Sequence, residues 1–274
     1  MKIGYLGPPG TYCQEAMEVF CQKKEYYKPV QFPSIYDALN AVCCRSVDHV
    51  VVPIENSIEG SVNATLDFLA ENTELKIKGE IILPISHTLV IKSDTNIQDI
   101  ELILSHPQAL AQCSKYLHER FRGIMTRVAL STAEAAREVA ESEGKWAAVA
   151  NSRVTDIYNL KIADANIQDG LNNVTRFIVV SLEDNKRTGK DKTSIVFSAE
   201  DKPGSLYRIL DIFNLWDINL TKIESRPAKN ELGKYIFFVD FEGHRNEQDI
   251  KDALTMVNRK TSIFRIIGSY PCLN

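Results

Sequence analysis

Short apolar runs and helical patterns alternate along the first two thirds of the chain. Runs typical of buried strands occur at residues 3–6, 49–52, 102–104, 147–150 and 177–181. Between them, apolar residues three and four positions apart predict helices, including one over residues 14–23. Three helices start with a capping pattern: Ser34 with Asp37, Ser105 with Gln108, and Ser131 with Glu134. This alternation predicts an α/β fold, in which ligands bind where strands run into helix starts.

The last third of the chain has a different order of elements. Its pattern predicts strands at residues 194–199, 218–224, 234–241 and 263–267, and helices at residues 206–213 and 250–257. The resulting βαββαβ order is that of the ferredoxin-like fold.

A polar stretch separates the two patterns. Residues 183–192, EDNKRTGKDK, contain no apolar side chain and many charged ones, so they predict an exposed linker. We therefore expect a larger domain over residues 1–182, a linker over residues 183–192 and a smaller domain over residues 193–274.

Composition narrows the classes of function. The chain has 32 Lys and Arg against 36 Asp and Glu, and this net charge of -4 argues against nucleic acid as a main partner. No stretch reaches the roughly 20 apolar residues of a membrane span, and no signal sequence is visible, so we expect a cytoplasmic protein outside the membrane. The six cysteines include no C-x-x-C pair, which predicts reduced thiols and no metal site.

Several segments together resemble one family. In chain order they are GPPGTY at residues 7–12, PIENS at 53–57, SHPQAL at 105–110 and NVTRF at 173–177, followed by PGSL at 203–206 and ESRP at 224–227. The first four resemble prephenate dehydratase, and the last two are similar to an ACT regulatory domain. Together they extend over nearly the whole chain in the family's order.

The resemblance implies two α/β lobes with a cleft between them, as in type 2 periplasmic binding proteins, followed by an ACT domain. It implies conversion of prephenate to phenylpyruvate, carbon dioxide and water in L-phenylalanine biosynthesis, with no metal or organic cofactor. L-Phenylalanine is expected to bind between subunits and inhibit, so we expect a homodimer or homotetramer. Some relatives carry a chorismate mutase segment in front; because the first motif begins at Gly7, we expect a single activity.

By this resemblance, Thr175 is the catalytic threonine. Its hydroxyl is a weak acid, so we expect it to hydrogen-bond the departing oxygen and pass on a proton from a neighbour. The alternative is that Thr175 only packs its methyl group in a strand. Arg176 is expected to face the pyruvyl carboxylate or shape the site, because a guanidinium on the ring carboxylate would stabilise the substrate and slow the reaction.

Four further residues are catalytic candidates, each with a structural alternative. Glu55, beside Asn56, could have a raised pKa and supply the proton, or the pair could form a turn or hinge. Ser105 could cap a helix only, or cap it beside a bound carboxylate. Asn173 could bind the ligand or brace the turn before the catalytic threonine.

The same motifs supply candidates for binding. Those predicted to contact the substrate are Gly10, Thr11, Ser57, His106, Gln108 and Phe177. Those predicted to bind the effector are Gly204, Ser205, Leu206, Glu224, Ser225 and Arg226. Glu224 could instead stabilise a strand end, and the tail as a whole could be a dimerisation module without a ligand. Histidines outside the motifs are predicted to be surface or packing residues: His49, His87, His118 and His244.

Two other functions remain open at this point. A non-catalytic binding protein could use the same two-lobed cleft and would have no need of Thr175. An arogenate dehydratase would accept an amino group where prephenate has a ketone. No pattern in the sequence separates the two substrates.

Overall fold

The computed structural model describes residues 1–22, 24–170, 172–228 and 235–273. In chain order, the elements of the first part are β1 (Lys2–Leu6), α1 (Tyr12–Cys21), β2 (Lys28–Phe32), α2 (Ile35–Cys43), β3 (His49–Asn56), β4 (Gly60–Ser61), α3 (Asn63–Glu71), β5 (Lys76–Pro84), β6 (Thr88–Ile91), a 3-10 turn (Ile97–Asp99), β7 (Leu102–Ser105), α4 (Pro107–Gln112), α5 (Ser114–Arg120), β8 (Met125–Val128), α6 (Thr132–Glu141), β9 (Trp146–Ala150), α7 (Val154–Tyr158), β10 (Lys161–Ala165) and β11 (Val174–Ser181).

Two sheets form two lobes. The first has the strand order β2-β1-β3-β11-β5, with β4 paired to β3, and the second has the order β10-β6-β9-β7-β8. The chain leaves the first lobe after β5 and returns to it with β11, so two crossing segments join the lobes. β11 lies between β3 and β5 and is antiparallel to both. The expected two-lobed α/β architecture is confirmed, and the strand that carries Thr175 is internal to its sheet.

The predicted apolar runs form β1, β3, β7, β9 and β11, whereas β2, β4, β5, β6, β8 and β10 were not predicted. Two of these show why. In β5, Glu80 and Pro84 confine the apolar run to residues 81–83, and β8 is exposed along its whole length and has no apolar run. The helix predicted over residues 14–23 runs from Tyr12 to Cys21, and Lys23 lies outside the described residues.

Two of the three predicted helix caps are confirmed. Ser34 and Ser131 each accept a hydrogen bond at 3.0 Å from the backbone N–H three residues later. The prediction for Ser105 is wrong: α4 begins at Pro107, and its N-cap is His106. Ser105 is the last residue of β7, and its hydroxyl donates to the Val149 carbonyl oxygen at 2.5 Å. The strand therefore runs one residue further than the serine pattern suggested.

The C-terminal part has the predicted βαββαβ order. Its elements are β12 (Asp191–Ser198), α8 (Ser205–Leu215), β13 (Leu220–Pro227), β14 (Tyr235–Glu242), α9 (Gln248–Arg259) and β15 (Ile263–Pro271). They form one antiparallel sheet in the order β13-β14-β12-β15. Lys234, the first residue of a predicted strand, lies outside the described residues.

This C-terminal sheet has different partners on its two faces. One face packs on α8 and α9 through Ile195 and Val239. The other packs on the first lobe, where Val196 and Phe238 share one apolar cluster with residues of β3 and β11, including Ile178. The C-terminal sheet therefore covers the face of β11 that carries Ile178, and β11 is the strand that contains Thr175.

The segment between β11 and β12 is partly tied down. Asn185 Nδ2 donates to the carbonyl oxygens of Lys78 and Ser269, each at 3.0 Å. Asp191 is buried and accepts from the Thr188 N–H at 2.8 Å. β12 begins at Asp191, inside the stretch expected to be an exposed linker, because hydrogen bonds satisfy this carboxylate.

Some general features of the described residues bear on function. Over residues 1–22, 24–170, 172–228 and 235–273, no helix is long and apolar enough to cross a membrane, and no three His, Cys, Asp or Glu are grouped as metal ligands. The six cysteines are free thiols. Burial raises the pKa of Cys13 to about 12, so this thiol is protonated at neutral pH.

Candidate active site

A cleft of about 270 Å³ opens between the lobes. Cavities that bind small molecules are usually of roughly this size or larger, ~300–1,000 Å³. A second cavity of about 450 Å³, which we call the outer chamber, opens beside it between Phe32 and Pro33 of the first lobe and Leu130 of the second. The cleft itself is lined by residues of both lobes and of the crossing segments, including Thr11, Tyr12, Pro53, Asn56, Ile85, His87, His106, Gln108, Gln112, Leu130, Ser131, Asn173, Thr175 and Phe177.

The walls of the cleft consist mostly of apolar, hydroxyl and amide side chains, with two histidines, His87 and His106. None of the described residues that line it is Lys, Arg, Asp or Glu. Instead, α1 and α6 begin at its wall, capped by Thr11 and Ser131. Free N–H groups at a helix start carry positive partial charge. These walls can therefore bind carboxylates without placing a cation beside them.

Asn56 and Thr175 form the polar centre of the cleft. They pair across β3 and β11, and Asn56 Nδ2 donates to Thr175 Oγ1 at 2.8 Å and to Asn173 Oδ1 at 2.7 Å. The orientation of the Asn56 amide is fixed, because its Oδ1 accepts from the backbone N–H groups of Ile58 and Glu59, each at 3.0 Å. Nδ2 must therefore be the group that faces Thr175.

This orientation determines the hydrogen bond that Thr175 can make. Its oxygen already accepts a hydrogen bond from Asn56. Among the described residues, the Thr175 O–H does not itself donate a hydrogen bond to any acceptor. The Thr175 hydroxyl is thus free to donate to an oxygen of a molecule in the cleft.

The polar network continues to a histidine that the sequence analysis did not select. Asn173 Nδ2 donates to Gln112 Oε1 at 2.9 Å, and His87 Nε2 lies 2.8 Å from the same oxygen. Since a carbonyl oxygen can only accept, His87 Nε2 carries a proton and donates it. Burial lowers the pKa of His87, which keeps the ring neutral. Gln112 had a signal in the sequence, since it follows Gln108 by one helical turn; His87 had none.

Glu55 lies outside the cleft, contrary to expectation. Alternation along β3 would place it on the same face as Pro53, which lines the cleft. A β-bulge at Ile54, opposite β11, adds one residue and reverses this alternation. Asn56 then faces the cleft, while Glu55 Oε2 lies 3.2 Å from Lys222 Nζ of the C-terminal sheet.

Arg176 also points away from the cleft. Consecutive strand residues face opposite sides of a sheet, so Arg176 lies behind Thr175. There its guanidinium donates to Glu80 Oε2 at 2.7 Å, Asp240 Oδ2 at 2.6 Å and the Tyr270 hydroxyl at 2.8 Å. Burial by itself lowers the pKa of Arg176, but these three partners outweigh it and raise the pKa, so the group is charged. The structure contradicts the first alternative for Arg176, that it faces the pyruvyl carboxylate; the second, that it shapes the site, stays a prediction.

Three further predicted residues lie outside the lining of the cleft. The Ser105 side chain is buried, as described above. The Gly10 carbonyl oxygen accepts from Asn151 Nδ2 at 2.6 Å, and the Ser57 hydroxyl donates to the Asn172 carbonyl oxygen at 3.0 Å. The predicted residues that do line the cleft are Thr11, Asn56, His106, Gln108, Asn173, Thr175 and Phe177.

Comparison with known proteins identifies the family. The family model for prephenate dehydratase matches residues 3–185, and that for the ACT domain matches residues 193–255. The chain belongs to the prephenate dehydratase family. The prephenate dehydratase of Methanocaldococcus jannaschii is 43% identical over 272 residues, with 97% of each chain covered.

Two other members of the prephenate dehydratase family are also similar over nearly the whole of this chain. The bifunctional chorismate mutase/prephenate dehydratase of Aquifex aeolicus is 42% identical over 271 residues, which cover 99% of this chain and 74% of that one. The crystal structure of prephenate dehydratase from Arthrobacter aurescens in complex with L-Phe has a TM-score of 0.90 and 34% identity, and covers 100% of this chain and 90% of that one. The C-terminal sheet and its two helices contain the matched residues 193–255, and we refer to this unit as the ACT domain.

One group of predicted effector residues lies at the start of α8 in the ACT domain. Gly204 has a φ of +77°, a left-handed conformation that favours glycine, and immediately precedes the helix. Ser205 lines a polar cavity of about 280 Å³ together with Arg208. Leu206 packs against the core of the ACT domain.

The other group lies on β13. Glu224 and Arg226 face the first lobe: the Ser61 hydroxyl donates to Glu224, and Arg226 Nη2 lies 3.0 Å from Asp67 Oδ1. Ser225 lies between them in sequence and is exposed. Within the chain, the two charged residues of this group thus contact the first lobe.

Proposed function

We propose that the chain catalyses the decarboxylative dehydration of prephenate to phenylpyruvate, and is thus a carbon–oxygen lyase. The observation that carries this proposal is the Thr175 hydroxyl, oriented by Asn56 to donate into a cleft whose described lining contains no Lys or Arg. The reaction converts the prephenate dianion and one proton to the phenylpyruvate anion, carbon dioxide and water. Family membership and the named relatives support the assignment.

The chemistry fits the charge pattern of the cleft. Formation of the aromatic ring drives the reaction, so the protein has to orient the substrate, assist the departing hydroxyl and leave the ring carboxylate poorly stabilised. Helix starts at Thr11 and Ser131 can hold the side-chain carboxylate. The neighbours of Thr175 are amides with no proton to relay, so its role is to donate a hydrogen bond to the departing oxygen.

The same charge pattern favours prephenate over arogenate. Arogenate carries an ammonium group where prephenate carries a ketone, and a buried ammonium needs an anionic or strongly accepting partner. No Asp or Glu occurs among the described residues that line the cleft. We therefore infer that prephenate is the better substrate.

One assay tests the reaction, the substrate and the regulation. Phenylpyruvate or phenylalanine formation is followed from prephenate and from arogenate, each with and without L-phenylalanine. We expect turnover of prephenate above its spontaneous decay, a lower kcat/KM with arogenate, and inhibition by L-phenylalanine. A protein that binds prephenate but does not convert it would be a binding protein with the same fold.

Regulation, assembly and location follow as parts of the same proposal. The relative from Arthrobacter aurescens was solved with L-Phe, which supports L-phenylalanine as an effector of the ACT domain here. We propose that the protein is a cytoplasmic homodimer or homotetramer and that the effector binds between its subunits. We also propose that the chain divides into residues 1–182, a connection over 183–192, and residues 193–274. Light scattering with and without L-phenylalanine measures the assembly.

A further inference from the structure

Two residues behind the cleft connect its polar centre with the ACT domain. Glu55 directly precedes Asn56, and Arg176 directly follows Thr175; the four residues pair across β3 and β11. On the back of the sheet, Arg176 Nη1 lies 2.6 Å from Asp240 Oδ2 and Glu55 Oε2 lies 3.2 Å from Lys222 Nζ. Each residue of the catalytic pair therefore has a chain neighbour that is ion-paired with the ACT domain.

The strongest ion pairs of Arg176 are buried. The side chains of Arg176, Glu80 and Asp240 are 10%, 4% and 8% exposed. Lys192 Nζ lies 2.7 Å from Glu80 Oε1, and Arg176 Nη1 also lies 3.5 Å from Glu55 Oε2, which joins these pairs to the Glu55–Lys222 pair. A buried charge that loses its partner is costly. If Asp240 moves with the ACT domain, Arg176 has to follow it.

Asp240 is held firmly on the ACT side. It lies on β14, and its Oδ1 accepts from the Ser194 hydroxyl of β12 at 2.5 Å. The same hydroxyl lies 2.5 Å from the Tyr270 hydroxyl of β15, which accepts from Arg176. Three ACT strands thus share the contact with the strand that carries Thr175.

We propose that Arg176 and Glu55 are positioning residues through which the ACT domain acts on Thr175 and Asn56. This inference rests on the proposed function and specifies its regulation. When L-phenylalanine displaces the ACT sheet, Asp240 and Lys222 carry Arg176 and Glu55 with them, and the hydroxyl and amide on the other face shift. A misplacement of roughly 1 Å at a reacting group can change a rate by ~100-fold.

Two variants test this route, with a matched control. Asp240→Asn weakens the link to Arg176, and Lys222→Gln weakens the link to Glu55. Arg265→Met is the control: Arg265 also crosses the interface, but its guanidinium donates to the carbonyl oxygens of Leu69, Ala70 and Asn72 at the end of α3. We define the coupling ratio as kcat/KM for prephenate without L-phenylalanine divided by kcat/KM at saturating L-phenylalanine. For each variant we also measure kcat and KM separately, the calorimetric Kd for L-phenylalanine and the melting temperature.

We expect a coupling ratio of about tenfold in the wild type, which is typical of allosteric proteins. Both test variants should lower it to about threefold or less while still binding L-phenylalanine, and the control should keep the wild-type ratio. A merely structural role would lower the melting temperature and leave the ratio unchanged. If Asp240→Asn does not fold, the coupling ratio of Lys222→Gln, compared with that of the control, tests the proposal.

The inference is overturned if the ratio is unchanged in the test variants, or if the control loses it equally. Wild-type protein that leaves prephenate unchanged contradicts the proposed function instead. In that case the same ratio is measured from the affinity for phenylpyruvate with and without L-phenylalanine, and the same differences between variants are expected.

Discussion

The hydrogen bonds around Thr175 run in one direction. Two backbone N–H groups fix the Asn56 amide, which donates to Thr175 and Asn173, and Asn173 donates to Gln112. The network therefore leaves the Thr175 hydroxyl as a donor that is already oriented before the substrate binds. Preorganised donors to an oxygen that gains negative charge in the transition state are typically worth ~10²–10³ in kcat.

The first prediction concerns this hydroxyl. Thr175→Ala should lower kcat by about 100-fold and change KM much less, because the hydrogen bond strengthens as the departing oxygen gains charge. Thr175→Ser keeps the hydroxyl and should retain most of the activity. Steady-state kinetics with prephenate separate the two variants. Equal losses would show that the methyl group is the part that matters.

The second prediction tests the direction of the network. In Asn56→Asp, the carboxylate can still accept from Ile58 and Glu59, but it cannot donate to Thr175. Thr175 should then turn its hydrogen towards Asp at position 56 and away from the cleft. We expect kcat to fall at least as far as in Thr175→Ala, with a melting temperature that shows a folded protein. Wild-type kcat at neutral pH would refute the proposed orientation.

The third prediction concerns pH. Burial lowers the pKa of His87 below the ordinary value of 6.5, so below about pH 6.5 the unfolded chain binds a proton that the folded protein resists. The contribution of His87 to the free energy of unfolding is therefore complete above this pH and declines as the pH falls. His87→Gln should make the decline between pH 7.5 and 5.5 less steep in urea unfolding.

His118 provides the control for this experiment, because it lies exposed on α5. His118→Gln should keep the wild-type dependence on pH. The same slope in both variants would mean that His87 binds its proton as readily in the folded protein as in the unfolded chain.

At the residue scale, the sequence motifs identified the residues of the site but not the side of the sheet on which each side chain lies. Thr175, Asn56 and Asn173 were predicted and lie together. Alternation along β11 alone would have placed Arg176 behind Thr175, which already argues against its facing the pyruvyl carboxylate. The position of Glu55 depends on a bulge, which arises from pairing between strands distant in sequence and leaves no local pattern.

At the scale of elements, the helix starts serve both stability and binding. Ser34 and Ser131 make the same capping bond at the same distance of 3.0 Å, but only Ser131 lines the cleft. Such caps are predictable because one side chain satisfies backbone groups only a few residues away. Strands such as β5 are less predictable, because their stability comes from neighbours in the sheet rather than from their own residues.

The matched caps give the fourth prediction. Ser131→Ala and Ser34→Ala should each destabilise the protein by about 1 kcal/mol, because each loses one capping bond. In a protein of this size that corresponds to roughly 2–4 °C in Tm. Only Ser131→Ala should also raise KM for prephenate. Calorimetry and kinetics on both variants provide the measurement, and an equal rise in KM would rule out a local role for the α6 start.

At the scale of the whole molecule, the ACT domain is more closely joined to the first lobe than its polar linker suggested. Val196 and Phe238 of the ACT sheet share an apolar cluster with Ile178 and Val180 of β11. The patterns in the sequence show that these residues are buried in strands, but not which sheet covers them. The ion cluster around Arg176 likewise combines residues far apart in the chain.

The last prediction concerns the approach of the two lobes. Two crossing segments join them, and hinge closure is a common response of such proteins to ligands. Leu130 of the second lobe is 91% exposed and lines both the cleft and the outer chamber. Phe32 and Pro33 of the first lobe line the opposite wall of the outer chamber. Closure on prephenate should bury Leu130. Leu130→Ala should then weaken binding by about 1 kcal/mol, which is roughly fivefold in KM.

Met125 provides the comparison for this variant. It is 72% exposed, lies on β8 of the same lobe and is absent from the described linings of the cleft and the outer chamber. Both variants should keep the wild-type Tm, because both side chains are largely in water before the lobes close. KM should rise in Leu130→Ala only, and small-angle scattering should show a smaller radius of gyration when phenylpyruvate binds the wild type. An unchanged KM in Leu130→Ala would mean that the lobes do not close over this side chain.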